Sequence, residues 1–240
     1  MERTGILFDF DGTLSPLHAR REHARIRGDV EALLKMLAEK YVLAVVSSKD
    51  CVFLLERAPG FHSYVCVNGL EILTDKYLLI DSSVRNKDVL KAVEEVLLEA
   101  RKLRNVDIEE KKSLLGILLG LSIDWRGHGS PPEGLGEVLG TAAAQGLYVV
   151  SYKYNPFADI YVTRADKGEG VRALKLLLEL DNVVYIGDGE NDIPAFKIAD
   201  VAVLVRHESN QGFEADVDYE VRFEELGKWL ASHVLSGSVI

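Results

Sequence analysis

Cysteine is scarce in this 240-residue chain, which contains only Cys51 and Cys66. Their spacing fits neither a zinc site nor the disulfide framework of a small secreted protein. We therefore expect each cysteine to serve as a small buried hydrophobe. Long hydrophobic runs are also lacking, since the longest, "LLGILLGLSI" at residues 114–123, is too short and too interrupted by glycine to span a bilayer. The composition thus argues against a membrane partner.

Basic residues are in deficit as well. The chain has 28 Lys and Arg against 38 Asp and Glu, a formal net charge of -10 and a pI near 5.1. A protein held to nucleic acid by phosphate contacts needs a stripe of Lys and Arg, and none is present in the sequence. We therefore expect no nucleic-acid partner.

The location of the protein is suggested by its first residues and its composition. The opening "MERTGILFDF" leads directly into an apolar segment, and we expect a cytoplasmic protein without a signal peptide. Gln, Met and Cys are few beside many Leu, Val, Glu and Lys residues, a balance typical of thermophiles.

Apolar segments alternate with helical patterns in the first and last thirds of the chain. Buried strands are predicted at "GILFDF", "VLAVVS", "NVVYIGD" and "VAVLV", and helices between them at "DVEALLKMLAEKY" and "KGEGVRALKLLLEL". "SYVCVNGLEIL" predicts a hairpin that turns at Asn68 and Gly69. Continuous apolar strands separated by helices predict an α/β fold, a doubly wound parallel sheet of the Rossmann-like kind.

The middle of the chain has a different pattern. A long helix with apolar residues in register is followed by a Gly/Pro loop, a second helix and the strands "LYVVSY" and "ADIYVT". This order predicts an α+β domain inserted into the α/β core. We expect the core to comprise residues 1–81 and 161–240, and the insert residues 82–160.

Acidic side chains follow two of the predicted strands. Asp9 and Asp11 end "ILFDFDGTLS", and "VVYIGDGENDIP" places Asp188 and Asp192 after another strand. Ligands of open parallel sheets bind beyond the carboxyl ends of the strands. Acids gathered there need a cation, and carboxylate oxygens favour Mg²⁺. Each stretch alone also fits a solvated acidic turn.

Two further stretches suit a phosphate group. "VVSSK" ends a strand on Ser47 and Ser48, whose hydroxyl and backbone N–H groups suit phosphate oxygens, although either serine also fits a helix cap. Lys167 in "TRADKGEG" opens a helix, where it opposes the helix dipole unless an anion is near. A solvated lysine is the alternative.

The four stretches, in this order, resemble the motifs of the haloacid dehalogenase (HAD) superfamily, and the resemblance covers essentially the whole chain. It implies a Mg²⁺-dependent phosphatase with a cap domain formed by the insert. In such an enzyme Asp9 is the nucleophile that forms an aspartyl-phosphate, and Asp11 is the general acid and then the general base. The implied metal ligands are Asp9, Asp11 (through its backbone carbonyl), Asp188 and Asp192. The implied phosphate-binding residues are Ser47, Ser48, Lys167 and Asn191.

The sequence identifies the substrate less specifically than the reaction. "VNGLEI" and "GDGENDIP" resemble the Cof-type branch of sugar phosphatases, "DFDGTLSP" and "LSIDWRGHG" resemble trehalose-phosphate phosphatases, and "VVSSKD" resembles mannosyl-phosphoglycerate phosphatases. Trehalose-phosphate phosphatases usually carry Glu, Arg and Pro where this chain has Asp159, Tyr161 and Val162. We therefore predict a small sugar phosphate or related phosphorylated metabolite as the substrate, with Arg126 and Tyr161 as candidate contacts in the cap.

Two alternatives stay open at this point. A phosphomutase uses the same aspartyl-phosphate, and a non-catalytic protein of this fold binds a sugar phosphate without turnover. The protein is expected to be a monomer or a homodimer. His207, in "RHESNQGF", lacks His or Cys neighbours and is expected to be a surface histidine rather than a metal ligand.

Overall fold

The computed structural model describes residues 2–239, and the chain divides into two compact units. The core unit comprises the chain up to Leu79 and from Asp166 onward, and the inserted unit is Ile80–Ala165. No helix among the described residues is long and apolar enough to cross a membrane.

The strands and helices are numbered along the chain. The strands are β1 (Thr4–Phe8), β2 (Val42–Val46), β3 (Ser63–Cys66), β4 (Glu71–Thr74), β5 (Leu78–Ile80), β6 (Asp107–Lys112), β7 (Leu118–Asp124), β8 (Tyr148–Ser151), β9 (Phe157–Tyr161), β10 (Asn182–Gly187), β11 (Val201–Arg206) and β12 (Tyr219–Arg222). The α-helices are α1 (Gly28–Leu37), α2 (Cys51–Arg57), α3 (Lys87–Ala100), α4 (Leu135–Ala144), α5 (Lys167–Leu177), α6 (Ile193–Phe196) and α7 (Leu226–Trp229). A π-helical segment, Leu230–Leu235, follows α7.

An eight-stranded sheet, in the order β12-β11-β10-β1-β2-β3-β4-β5, forms the centre of the core unit as described. The strands from β12 to β3 pair in parallel, and β4 returns antiparallel to β3 as the predicted hairpin. Every residue of β1 is buried, as expected for a strand covered on both faces. The predicted α/β fold class is confirmed.

The register of the central strands sets the position of the residues that follow them. Phe8 of β1 pairs with Val45 of β2 and with Ile186 of β10. These strands therefore end almost level. Asp9, Ser47 and Asp188, which come directly after them, leave the sheet at one edge.

The inserted unit contains a four-stranded antiparallel sheet in the order β6-β7-β9-β8, and α3 packs against β7 and α4. The fully buried Leu121, Ile123 and Ile160 supply apolar contacts for this sheet. Sequence patterns predicted the two helices and the strands β8 and β9 but neither β7 nor β6, and the residues of β6, "DIEEKK", are mostly charged. Charged residues are characteristic of an edge strand, because they discourage pairing with other chains.

The two cysteines form a disulfide bond, so the expectation that they serve only as small hydrophobes is wrong. Both are fully buried, as expected. Cys51 starts α2 and Cys66 ends β3, a neighbour of β2, and their Cα atoms lie 5.3 Å apart. Sheet order thus brings together two residues that no short-range sequence pattern connects.

Candidate active site

Three carboxylates meet where the central strands end. Asp9 follows β1, Asp188 follows β10, and Asp192 directly precedes α6. One oxygen of each lies within 4.8 Å of the others, and all three side chains are buried. Three negative charges in so small a buried space require compensating positive charge.

Lys167 supplies part of that charge. Its Nζ lies 2.8 Å from Asp9 Oδ1 and 2.6 Å from Asp192 Oδ1, and its side chain is fully buried. Burial alone would lower the pKa of Lys167, but the carboxylates of Asp192 and Asp9 outweigh burial and raise this pKa above its usual range. Lys167 is therefore a charged member of the cluster and not the solvated lysine that the sequence left open.

The single positive charge of Lys167 does not neutralise the charges of three carboxylates. Burial raises the pKa of Asp9 well above its usual value, although Lys167 opposes the shift. Burial and the neighbouring Asp192 raise the pKa of Asp188 to about 8. A divalent cation would favour the ionised forms, and a donor set made of carboxylate oxygens suits a hard cation. The residues present therefore fit a metal of the Mg²⁺ type.

Asp192 is saturated by donors from the protein itself. Its Oδ1 accepts hydrogen bonds from Lys167 Nζ and from the Tyr185 hydroxyl at 2.5 Å, and its Oδ2 accepts from the backbone N–H groups of Asp188 and Gly189, both at 2.9 Å. A carboxylate offers about four lone-pair sites. Asp192 thus fixes both the lysine and the backbone that carries Asp188.

Tyr185 was not predicted as part of the site. It lies within β10, two residues before the strand ends, and is fully buried. Burial and Asp192 raise its pKa well above the usual value, so it is a neutral donor. The signal in the sequence is a single hydroxyl within the apolar run at residues 183–186, which buries a polar tip that needs a partner.

Asp188 is held at both of its oxygens. Thr13 Oγ1 donates to Asp188 Oδ1 at 3.3 Å, and His207 Nε2 lies 2.9 Å from Asp188 Oδ2. The carboxylate sits directly over Gly12, where an added Cβ would come within 2.3 Å of Oδ2. Gly12 also has a φ of +79°, which favours glycine.

His207 is not the surface histidine that its sequence context predicted. Its side chain is only 14% exposed and contacts Asp188. Burial lowers the pKa of the imidazole, which favours the neutral form. The loop after β11 brings His207 to the site, as its position after a strand of the central sheet predicted, but the sequence did not indicate the contact with Asp188.

The side chain of Asp11 lies apart from the three clustered acids. It is 27% exposed, and its Oδ2 is 3.3 Å from Lys49 Nζ. The backbone at this point forms a tight turn in which the Gly12 N–H donates to the Ser15 carbonyl at 2.8 Å. The Asp9 side chain before the turn therefore lies in the buried cluster, whereas the Asp11 side chain lies beside Lys49.

Ser47, Ser48 and Asn191 lie along the same edge of the sheet. Ser47 is buried, and its Oγ accepts from the Lys49 N–H at 3.3 Å, while Ser48 and Asn191 are partly exposed. Asp50, not a serine, caps α2, since its Oδ1 accepts from the Phe53 N–H at 2.8 Å. The helix-cap alternative for the serines therefore does not apply.

The turn between β3 and β4 supports the serine loop, which is the segment 47–50 between β2 and α2. Val67 and Asn68 have φ angles of +50° and +52°, and the Val67 N–H donates to the Lys49 carbonyl at 2.9 Å. A buried β-branched residue with positive φ is strained and occurs where the surroundings enforce it. Gly69 lies against the start of α5, where a Cβ would be 3.2 Å from the Asp166 carbonyl oxygen. The predicted hairpin turn thus connects the serine loop with the helix of Lys167.

Arg126 and Tyr161 both lie in the inserted unit. The Arg126 Nε donates to Asp124 Oδ2 at 2.8 Å, and the guanidinium is 5.7 Å from the centre of the Phe157 ring. Tyr161 is fully buried in β9, and burial together with Asp159 raises its pKa well above the usual value. Their role as substrate contacts stays a prediction.

Two family models match the chain. The model described as haloacid dehalogenase-like hydrolase matches residues 141–215, and the trehalose-phosphatase model matches residues 7–117. The matched segments include Asp9, Ser47, Lys167 and Asp188. No curated protein matches the chain.

Several solved structures share the fold. A protein described as related to trehalose-6-phosphate phosphatase has a TM-score of 0.76 and 17% identity, over 97% of this chain and 98% of that chain. The C-terminal domain of a trehalose-6-phosphate phosphatase from C. albicans has a TM-score of 0.71 and 16% identity, over 99% of this chain and 93% of that one. A HAD subclass IIB sugar phosphatase has a TM-score of 0.64 and 15% identity, over 97% and 99%.

Proposed function

Since the chain belongs to the haloacid dehalogenase superfamily and is a phosphatase, we propose that it hydrolyses the phosphate ester of a small sugar or related metabolite, with Mg²⁺ as cofactor and an aspartyl-phosphate intermediate. The observation that supports this most directly is the buried group of Asp9, Asp188 and Lys167 at the end of the central strands. Such a group combines a nucleophile, acidic metal ligands and a fixed cation.

The metal would be held by Asp9, Asp188 and the backbone carbonyl of Asp11. Asp192 is the less suitable ligand, because its oxygens already accept from Lys167, Tyr185 and two backbone N–H groups. We assign it the task of holding Lys167 instead. Bound Mg²⁺ would offset the negative charge of the phosphoryl group and of the acids around it.

Asp9 is the proposed nucleophile. One of its carboxylate oxygens bonds to phosphorus while the bond from phosphorus to the sugar oxygen breaks. Lys167 fixes the orientation of Asp9 through Oδ1 and, with Ser47, Ser48 and Asn191, would bind the oxygens of the phosphoryl group. Charge on those oxygens is where preorganised donors lower the barrier most.

Asp11 is the proposed acid and base. It donates a proton to the departing sugar oxygen, and it then takes a proton from the water that attacks phosphorus, which releases inorganic phosphate and restores Asp9. Its partial exposure and its separation from the three clustered acids suit a group that must exchange protons. Lys49, at 3.3 Å, keeps its carboxylate near the site between turnovers.

A sugar phosphate is the proposed substrate class because one of the two matching family models is that of trehalose phosphatases and the similar structures include sugar phosphatases. Trehalose 6-phosphate is one candidate. The others are mannosyl-phosphoglycerate and the hexose phosphates.

The test is a panel of phosphorylated metabolites assayed for released phosphate with Mg²⁺ and with EDTA. We expect turnover that EDTA abolishes, and none for Asp9→Asn. Asp75→Asn, an exposed acid in the turn after β4, is the matched control and should retain full activity. An Asp9→Asn protein with wild-type turnover would refute the assignment of the nucleophile. Transfer of phosphate to a second sugar without its release would indicate a mutase.

A further inference from the structure

The loop after β11 holds Asp188 at two points. His207 Nε2 lies 2.9 Å from Asp188 Oδ2, and Asn210 Nδ2 donates to the Asp188 carbonyl oxygen at 2.8 Å. The side chains of His207 and Asp188 are only 14% and 9% exposed. Neither His207 nor Asn210 has a part in the reaction described above, so their contacts with a proposed metal ligand call for an explanation.

The hydrogen bonds of the ring fix which nitrogen of His207 carries the hydrogen. His207 caps the short 3-10 turn Glu208–Asn210, and its Nδ1 accepts from the Ser209 N–H at 3.2 Å. A nitrogen that accepts a backbone N–H carries no hydrogen of its own. In the neutral ring the hydrogen therefore lies on Nε2, which donates it to Asp188.

Asn210 fixes the loop that carries the ring. Its Oδ1 accepts from the His207 N–H at 2.9 Å, and its Nδ2 donates to the carbonyl oxygens of Val205 at 2.7 Å and of Asp188 at 2.8 Å. Both the oxygen and the nitrogen of the Asn210 amide therefore have hydrogen-bond partners, and the side chain is buried. It therefore ties the end of β11 to the end of β10, and the imidazole stands on a fixed backbone.

We propose that His207 is a positioning residue for the metal ligand Asp188, which it orients by a hydrogen bond from Nε2 to Oδ2. Thr13 holds Oδ1, so each oxygen keeps lone pairs in a fixed direction for a cation. Groups that orient a metal ligand in this way typically change metal affinity by about 10- to 100-fold when they are removed. The proposal rests on the proposed Mg²⁺ site.

Two substitutions separate the hydrogen bond to Asp188 from the cap. In His207→Asn, the side-chain oxygen takes the place of Nδ1 and keeps the cap, because asparagine is a preferred capping residue, but no donor reaches Asp188. In His207→Gln, the amide nitrogen is as many bonds from Cβ as Nε2 is and restores the donor. His18→Asn is the control, because the His18 ring contacts the Ser209 hydroxyl at 3.0 Å on the same loop and is exposed.

The experiment measures Mg²⁺ binding to the whole protein by calorimetry, together with the melting temperature without metal. We expect His207→Asn to weaken Mg²⁺ binding by about 10- to 100-fold, and His207→Gln and His18→Asn to bind close to the wild type. His207→Asn and His18→Asn should melt near the wild-type temperature without metal, and His207→Gln slightly lower because it lacks the cap.

Wild-type affinity in His207→Asn would overturn the proposal, and so would equal losses in the Asn and Gln variants. Failure of the proposed function looks different. A protein whose Mg²⁺ binding depends on His207 but which hydrolyses no phosphoester would refute the function and leave the positioning role intact. A wild-type protein that binds no Mg²⁺ would refute both.

Discussion

Replacing Gly12 with alanine tests the close packing of the turn after β1 against Asp188. The new Cβ would lie 2.3 Å from Asp188 Oδ2 and 2.6 Å from its Cγ. An ordinary contact needs about 3.5 Å, so the carboxylate must move by roughly 1 Å. Misplacement of an active-site group by that distance costs about 100-fold in rate, which corresponds to about 2.7 kcal/mol of barrier.

Gly60→Ala is the matched control. Gly60 has a φ of +90°, close to the +79° of Gly12, but no atom lies within 4 Å of the Cβ that would be added there. Both variants should therefore lose about 1–2 kcal/mol of stability through left-handed backbone strain. Only Gly12→Ala should lose kcat/KM as well, measured with the best substrate of the panel at saturating Mg²⁺. A folded Gly12→Ala enzyme with the kcat/KM of the Gly60→Ala enzyme would refute the argument from packing.

Two further predictions concern stability, measured by urea unfolding. Lys167→Met should lower the free energy of unfolding by about 3–5 kcal/mol, because it leaves buried Asp9 and Asp192 without their cation. The control, Lys175→Met, breaks a more exposed ion pair with Asp200 and should cost at most about 1 kcal/mol. Equal losses in the two variants would contradict the stabilising role of the buried ion pairs. Replacing Cys51 and Cys66 together by alanine should cost about 3 kcal/mol, because the bond closes a loop with a sequence separation of 15. A reducing agent should destabilise the wild type but not the double variant, and an equal effect on both would contradict the disulfide bond.

The different roles proposed for the acids explain why four aspartates occur at one edge of the sheet. Asp9 and Asp188 are the buried pair that needs a cation, Asp192 organises Lys167, and Asp11 stands apart beside Lys49. Their surroundings differ in burial and in donors, so chemically identical side chains take different tasks. These assignments are proposals, of which Asp9→Asn tests the nucleophile and His207→Asn tests the metal ligand Asp188.

Much of the fold was predictable from the sequence because parallel strands buried on both faces must be continuously apolar. "GILFDF", "VLAVVS" and "NVVYIGD" could be recognised for that reason, and ligands of such sheets lie beyond the strand ends. The expectation that Asp9, Ser47 and Asp188 share one edge follows from the same rule. The charged strand β6 was missed because an edge strand need not alternate or be apolar.

The sequence by itself determined the fold class, the resemblance to a phosphatase family and the residue types that chemistry at the strand ends requires. The tertiary structure decided which partner each of those residues has. Lys167 lies between two acids, Asp192 accepts from four donors, His207 reaches Asp188, and the two cysteines are bonded. The contacts of Lys167 with Asp9 and Asp192 and of His207 with Asp188 join residues that are distant along the chain. Their geometry depends on strand register and loop path, which no local pattern encodes.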